Sequence, residues 1–158
     1  SGDDGMTYEM MTDPQVKAAG VISVASNVAP KAATQMVQLL NEDNPSEAKL
    51  LMQNLEPLFN LVTVKTTEQT PYGDVSCRAR NPLAYKALMS ILGMPSGMCR
   101  QPLGKMTQNG LQTVLDAVRK VQATAPEILQ PVAEFFNVDI AERLENKRYH
   151  EGLAYDSY

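Results

Sequence analysis

The run GVISVAS, Gly20 to Ser26, constrains this chain more than any other stretch. It is short, β-branched and almost continuously apolar, the pattern of a strand covered on both faces, as in a parallel sheet. Such a strand needs hydrogen-bonding neighbours on both edges. No second strand of that quality precedes or follows it. The opening residues, SGDD, read as the tail of one neighbour, and everything after Ser26 reads chiefly as helix. A strand–helix–strand–helix order followed by helices is the end of an α/β barrel, yet such a barrel takes about 250 residues. The chain has 158. It therefore reads as the C-terminal portion of something longer.

The helices are legible from their ends and stripes. Met6 to Thr12 suits a short helix, and Asp13-Pro14 opens a further turn that Gly20 ends. Asn27 to Pro30 opens a helix with Ala33, Met36, Val37 and Leu40 on one face. Asn44-Pro45-Ser46-Glu47 combines a cap, a proline at the first helical position and an early acid. The helix it starts carries Ala48, Leu51, Met52, Leu55, Leu58, Phe59 and Val62, with Pro57 as an expected kink. Asn81-Pro82 starts another, with Ala84, Leu88 and Leu92 inward and Gly93 as its stop. Thr107 heads the next, striped by Leu111, Val114, Leu115, Val118 and Val121. Two further capping boxes, Thr124 with Glu127 and Asp139 with Glu142, start short helices. These stripes are read as core.

Two stretches resist this reading. Thr63 to Arg80 is polar and longer than ordinary connectors, a length usual for lids, interface arms or disordered segments. RYHEGLAYDSY reads as a tail.

Charge and composition exclude several functions. A net charge of −4 leaves no electrostatic footprint for nucleic acid. No run approaches the ~18 apolar residues of a membrane span. Cys77, Cys99 and the single histidine, His150, are poor material for a zinc site, which takes about four ligands. The two thiols suit a reducing cytoplasm.

SGDD, then GVISVASNVAP, then Asn81-Pro82 followed by Lys86 resemble the pyruvate-dependent aldolase family of dihydrodipicolinate synthase. The resemblance runs from Ser1 to about Val121. It implies an α/β fold, the C-terminal portion of a (β/α)8 TIM barrel. Residues 1–43 would supply the end of the seventh strand, the eighth strand and their helices. Residues 44–121 would form a C-terminal helical domain, and 122–158 a helical extension. The longer segment from Gly5 to Ala19 and the Thr63–Arg80 stretch depart from the family pattern.

By the same resemblance, the complete protein is a lyase that condenses pyruvate with aspartate semialdehyde, on the route to diaminopimelate and lysine. It would use a lysine Schiff base assisted by a tyrosine and a threonine, with no cofactor or metal, in a cytoplasmic homo-oligomer, dimer or tetramer. None of those catalytic motifs occurs here, so the chain alone is expected to be inactive. What it would supply is a wall of the substrate site: Ile22 against the pyruvate pocket, and Gly2, Asp3 and Asp4 at the barrel mouth. Ile22 suits a plain barrel core equally well, and the two aspartates equally suit capping of the next turn. Arg78, Arg80 and Arg100 are a further candidate anion patch. Lys65 reads as a solvated loop lysine. Related sugar-acid aldolases, such as N-acetylneuraminate lyase, and a non-catalytic helical assembly module are the alternative functions.

Overall fold

The computed structural model of the chain describes residues 1–157. Among these residues lie seven α-helices and one two-stranded sheet, besides four short 3-10 turns: α1 (Thr7–Thr12), α2 (Pro30–Asn41), α3 (Pro45–Phe59), β1 (Thr63–Thr70), β2 (Gly73–Arg80), α4 (Leu83–Ile91), α5 (Gln108–Thr124), α6 (Gln130–Phe136) and α7 (Ile140–Glu145). Prolines at the start of α2 and α3 occupy positions where no intrahelical N–H is required. Thr107 caps α5 by accepting from the Gly110 N–H at 3.0 Å, and Asp139 caps α7 by accepting from Glu142 at 2.9 Å. Gly93, at φ +79°, ends α4 in a left-handed conformation open to glycine at little cost.

Two expected caps are absent. Asn44 places no side-chain bond on α3. Thr124 instead donates to the Lys120 carbonyl and belongs to the last turn of α5. A hydroxyl that can bond four residues back inside a helix has no need to start the next one.

The core runs between the helices. α3 packs on α2 and α5, and α5 also contacts α4 and β1. Met36, Leu55, Leu58, Leu88, Ile91, Val114 and Val118 are buried at its centre, as their stripes require. Three sequence expectations change. The polar stretch Thr63–Arg80 is not a disordered segment: it is an antiparallel hairpin in continuous register from Thr63 opposite Arg80 to Thr70 opposite Gly73. Val64, Thr66 and Glu68 face α5, which explains how so polar a segment is held. The final segment is not a free tail. Met106 donates to the Leu153 carbonyl and Tyr155 donates to the Met106 carbonyl, both at 3.0 Å, and Ala154 is buried. Its last residue, Tyr158, lies outside the described residues.

The third change concerns the expected eighth strand. Residues 20–24 are irregular, and Ala25–Asn27 form a 3-10 turn. The Ser1 ammonium donates to the Gly20 carbonyl at 2.6 Å, and the Ile22 N–H donates to the Ser1 carbonyl at 2.8 Å. Those two bonds have the slanted pattern of a parallel pair with Ser1 beside Val21. Beyond Ile22 the next bonded backbone donors, Val24 and Ala25, go to the Asp4 carboxylate and not to a neighbouring backbone, so the apolar run has strand composition without strand structure. Among the described residues the sheet is the β1–β2 hairpin alone.

Candidate functional site

The predicted site residues meet where the first four residues lie along residues 20–25. The parallel pairing puts Gly2 next to Ile22. Both are exposed, Ile22 to 85%, and a Cβ at Gly2 would meet nothing within 4 Å. An isoleucine so exposed forms an apolar surface that faces away from this chain's own core.

The two aspartates divide. Asp3 is exposed, and its Oδ1 accepts from the Met6 N–H at 3.2 Å, capping the turn that leads into α1. Its carbonyl accepts from the Thr7 hydroxyl, which is fully buried. Asp4 is buried. Its Oδ2 accepts from the N–H of Val24 at 2.9 Å and of Ala25 at 3.1 Å, a clamp across twenty residues of sequence. The clamp holds the backbone two and three residues after Ile22. Ser23 adds to it, its hydroxyl accepting from the Ser26 N–H.

Beneath lies Tyr85 of α4, which sequence reasoning passed over in favour of Ala84 and Leu88. Its hydroxyl donates to the Leu58 carbonyl at 2.6 Å. Burial drives its phenol pKa far above the ordinary range, and the Asp4 charge pushes the same way. The spacing Tyr85, Leu88, Leu92 already lay on one face, so the signal for an inward tyrosine was present.

The geometry holds no activated nucleophile and no acid–base couple: Asp4 is spent on backbone donors and Tyr85 on a carbonyl. No group of three or more His, Cys, Asp or Glu among the described residues is arranged to hold a metal ion. No helix there is long and apolar enough to cross a membrane. The arginines separate: Arg78 and Arg80 point outward from β2, and Arg100 sits in the loop before α5. Lys65 is exposed on β1 opposite Arg78, on a strand and not in a loop.

The model of the dihydrodipicolinate synthetase family matches residues 1–121. Among curated proteins, the 4-hydroxy-tetrahydrodipicolinate synthase of Methanococcus vannielii is 35% identical over 121 residues, 75% of this chain and 36% of that relative. That of Archaeoglobus fulgidus is 28% identical over 122 residues, 77% of this chain and 36% of the relative. The solved 4-hydroxy-tetrahydrodipicolinate synthase of Methylacidiphilum fumariolicum SolV superposes with a TM-score of 0.62 at 28% identity, over 85% of this chain and 38% of that one. The dihydrodipicolinate synthase of Thermotoga maritima, at 22% identity, shares the fold with a TM-score of 0.60 over 77% of this chain and 35% of that one. This chain thus spans little more than a third of the length of the relatives it matches.

Proposed function

The chain belongs to the dihydrodipicolinate synthetase family, and from that premise we propose that it forms the C-terminal part of a lyase condensing pyruvate with aspartate semialdehyde. The observation that carries this reading is the family match from Ser1 onward, together with the parallel pairing of Ser1 with Gly20 and Ile22. It supports Ser1–Asp4 as the end of the seventh barrel strand and the following apolar run as the eighth. Residues 1–43 then complete the barrel, 44–121 build a helical domain, and 122–158 extend it.

In the complete enzyme a lysine amine adds to the pyruvate carbonyl with loss of water, and the resulting iminium acts as electron sink for the new carbon–carbon bond. That lysine and its tyrosine and threonine partners lie outside this chain. The chain supplies the opposite wall. Gly2 and Ile22 give an uncharged surface against pyruvate, where an apolar lining favours a neutral, nucleophilic amine. Asp3 stands at the mouth, and Asp4 is a positioning residue that holds the backbone two and three residues after Ile22. Assembly is as a cytoplasmic homo-oligomer, dimer or tetramer.

Two measurements test this. The 158-residue chain is incubated with pyruvate and borohydride and weighed; none of its eight lysines is expected to gain a reduced adduct. In the complete enzyme, Ile22→Asp buries a carboxylate against an anionic substrate and is expected to lower kcat/KM by roughly a hundredfold or more. Parental turnover and pyruvate KM in that variant would remove Ile22 from the site. Cleavage of N-acetylneuraminate, with no condensation of aspartate semialdehyde, would replace the substrate while keeping the Schiff-base chemistry.

A further inference from the structure

β2 is an open edge. It runs eight residues in unbroken register with β1 and pairs with no other strand among the described residues. Residues 73–76 are exposed at every position, so neither face of that stretch is covered. Long exposed edges are blunted by proline, lysine, a bulge or brevity. β2 has none of these: its sequence, GDVSCRAR, lacks proline and lysine, and its pairing skips no residue. A two-stranded sheet is marginal by itself and gains from a further strand.

The side chains on the outer face of the hairpin point to the strand that fits. Asp74, Ser76 and Arg78 are exposed and stand opposite Gln69, Thr67 and Lys65. Lys65 and Arg78 are therefore like charges directly across the pair, which is unfavourable. Asp74 cannot relieve them from within β2, because it lies about 13 Å along the strand from Arg78. Acid, hydroxyl and base at alternate positions are, however, complementary to their own reversal. A second β2 laid antiparallel, with Ser76 opposite Ser76, sets each Asp74 against the Arg78 of the other copy. On the inner face the same register sets Val75, itself 45% exposed, against Cys77. A slip of two residues would pair Asp74 with Arg80 and leave the Lys65–Arg78 repulsion in place.

We propose that β2 is the interface of a two-fold dimer, in which residues 73–79 of two copies pair antiparallel about Ser76 and join two hairpins into one four-stranded sheet. This surface lies apart from Gly2, Asp3, Asp4 and Ile22 and does not depend on the lyase reading.

Sedimentation equilibrium of the 158-residue chain over a concentration series should show monomer and dimer. Arg78→Glu sets like charges against each other twice across the axis and should weaken the dimer about tenfold or more. In the same variant the new carboxylate stands opposite Lys65, so the monomer should melt no lower than the parent monomer. Asp74→Arg should weaken the dimer likewise, and combining it with Arg78→Glu should restore association to within about threefold of the parent. In a chain carrying Cys77→Ser and Cys99→Ser, Ser76→Cys should join two copies by a disulfide under mild oxidation, since opposed residues lie about 4.5–5.5 Å apart at Cα. A chain that stays monomeric overturns the proposal. So does association indifferent to charge at positions 74 and 78, as contact through Ile22 would be. Cross-linking through Cys77 but not through position 76 overturns the register. Protection of β2 amides in the complete protein without dimerisation makes another segment the occupant and overturns the second copy.

Discussion

Removing the Asp4 carboxylate tests most directly how the start of the chain is held. In Asp4→Ala the N–H groups of Val24 and Ala25 lose their acceptor. Ala25 is completely buried, so its donor is left without water, at about 1–3 kcal/mol. Val24 is half-buried and can recruit solvent, which limits its loss to about 0.5–1.5 kcal/mol. The sum, about 2–4 kcal/mol, is a large share of the roughly 5–15 kcal/mol that holds an ordinary domain. At about 2–4 °C per kcal/mol for a chain of this size, the melting temperature should fall by roughly 4–16 °C. Asp4→Asn keeps a carbonyl oxygen in place and should recover more than half of the loss. Urea unfolding followed by circular dichroism measures both, and amide exchange should accelerate at Val24 and Ala25 in the alanine variant. A loss below about 0.5 kcal/mol, or equal losses for alanine and asparagine, would refute the clamp.

Three further outcomes are expected. Tyr85 is pushed above its ordinary value of 10.0, so its neutral form favours the fold; stability should decline as pH climbs through the ordinary tyrosine range and beyond, and Tyr85→Phe should flatten that decline in urea melts taken upward from pH 9. Glu68→Ala removes the acceptor shared by Thr66 and Asn109, and should cost about 1.5–3 kcal/mol and raise protease cleavage within the hairpin before global unfolding. Gly104→Ala forces a side chain onto a backbone at φ +60° and against the Tyr155 hydroxyl, and should cost about 1–2 kcal/mol while speeding amide exchange at Met106 and Tyr155.

What the sequence determined by itself is local. Prolines at the starts of α2 and α3, the Thr107 and Asp139 caps, the Gly93 stop and the apolar stripes act within a turn or two, so residue type suffices to place them. The hairpin was legible only in part: Pro71-Tyr72-Gly73 marks a turn and threonines and Val64 enrich the strand before it, but the residues do not alternate cleanly and polarity concealed the pairing because only one face meets α5. Tertiary structure decided the rest. Asp4 meets Val24 and Ala25, Tyr85 meets Leu58 twenty-seven residues away, and Leu153 and Tyr155 dock on Met106 through backbone atoms that carry no side-chain signature. The apolar run Gly20–Ser26 shows the division most clearly. β-branched composition expresses fitness for a covered sheet, whereas a strand exists only where backbone donors and acceptors meet a neighbouring backbone; here Gly20 and Ile22 meet Ser1, while Val24 and Ala25 bond the Asp4 carboxylate.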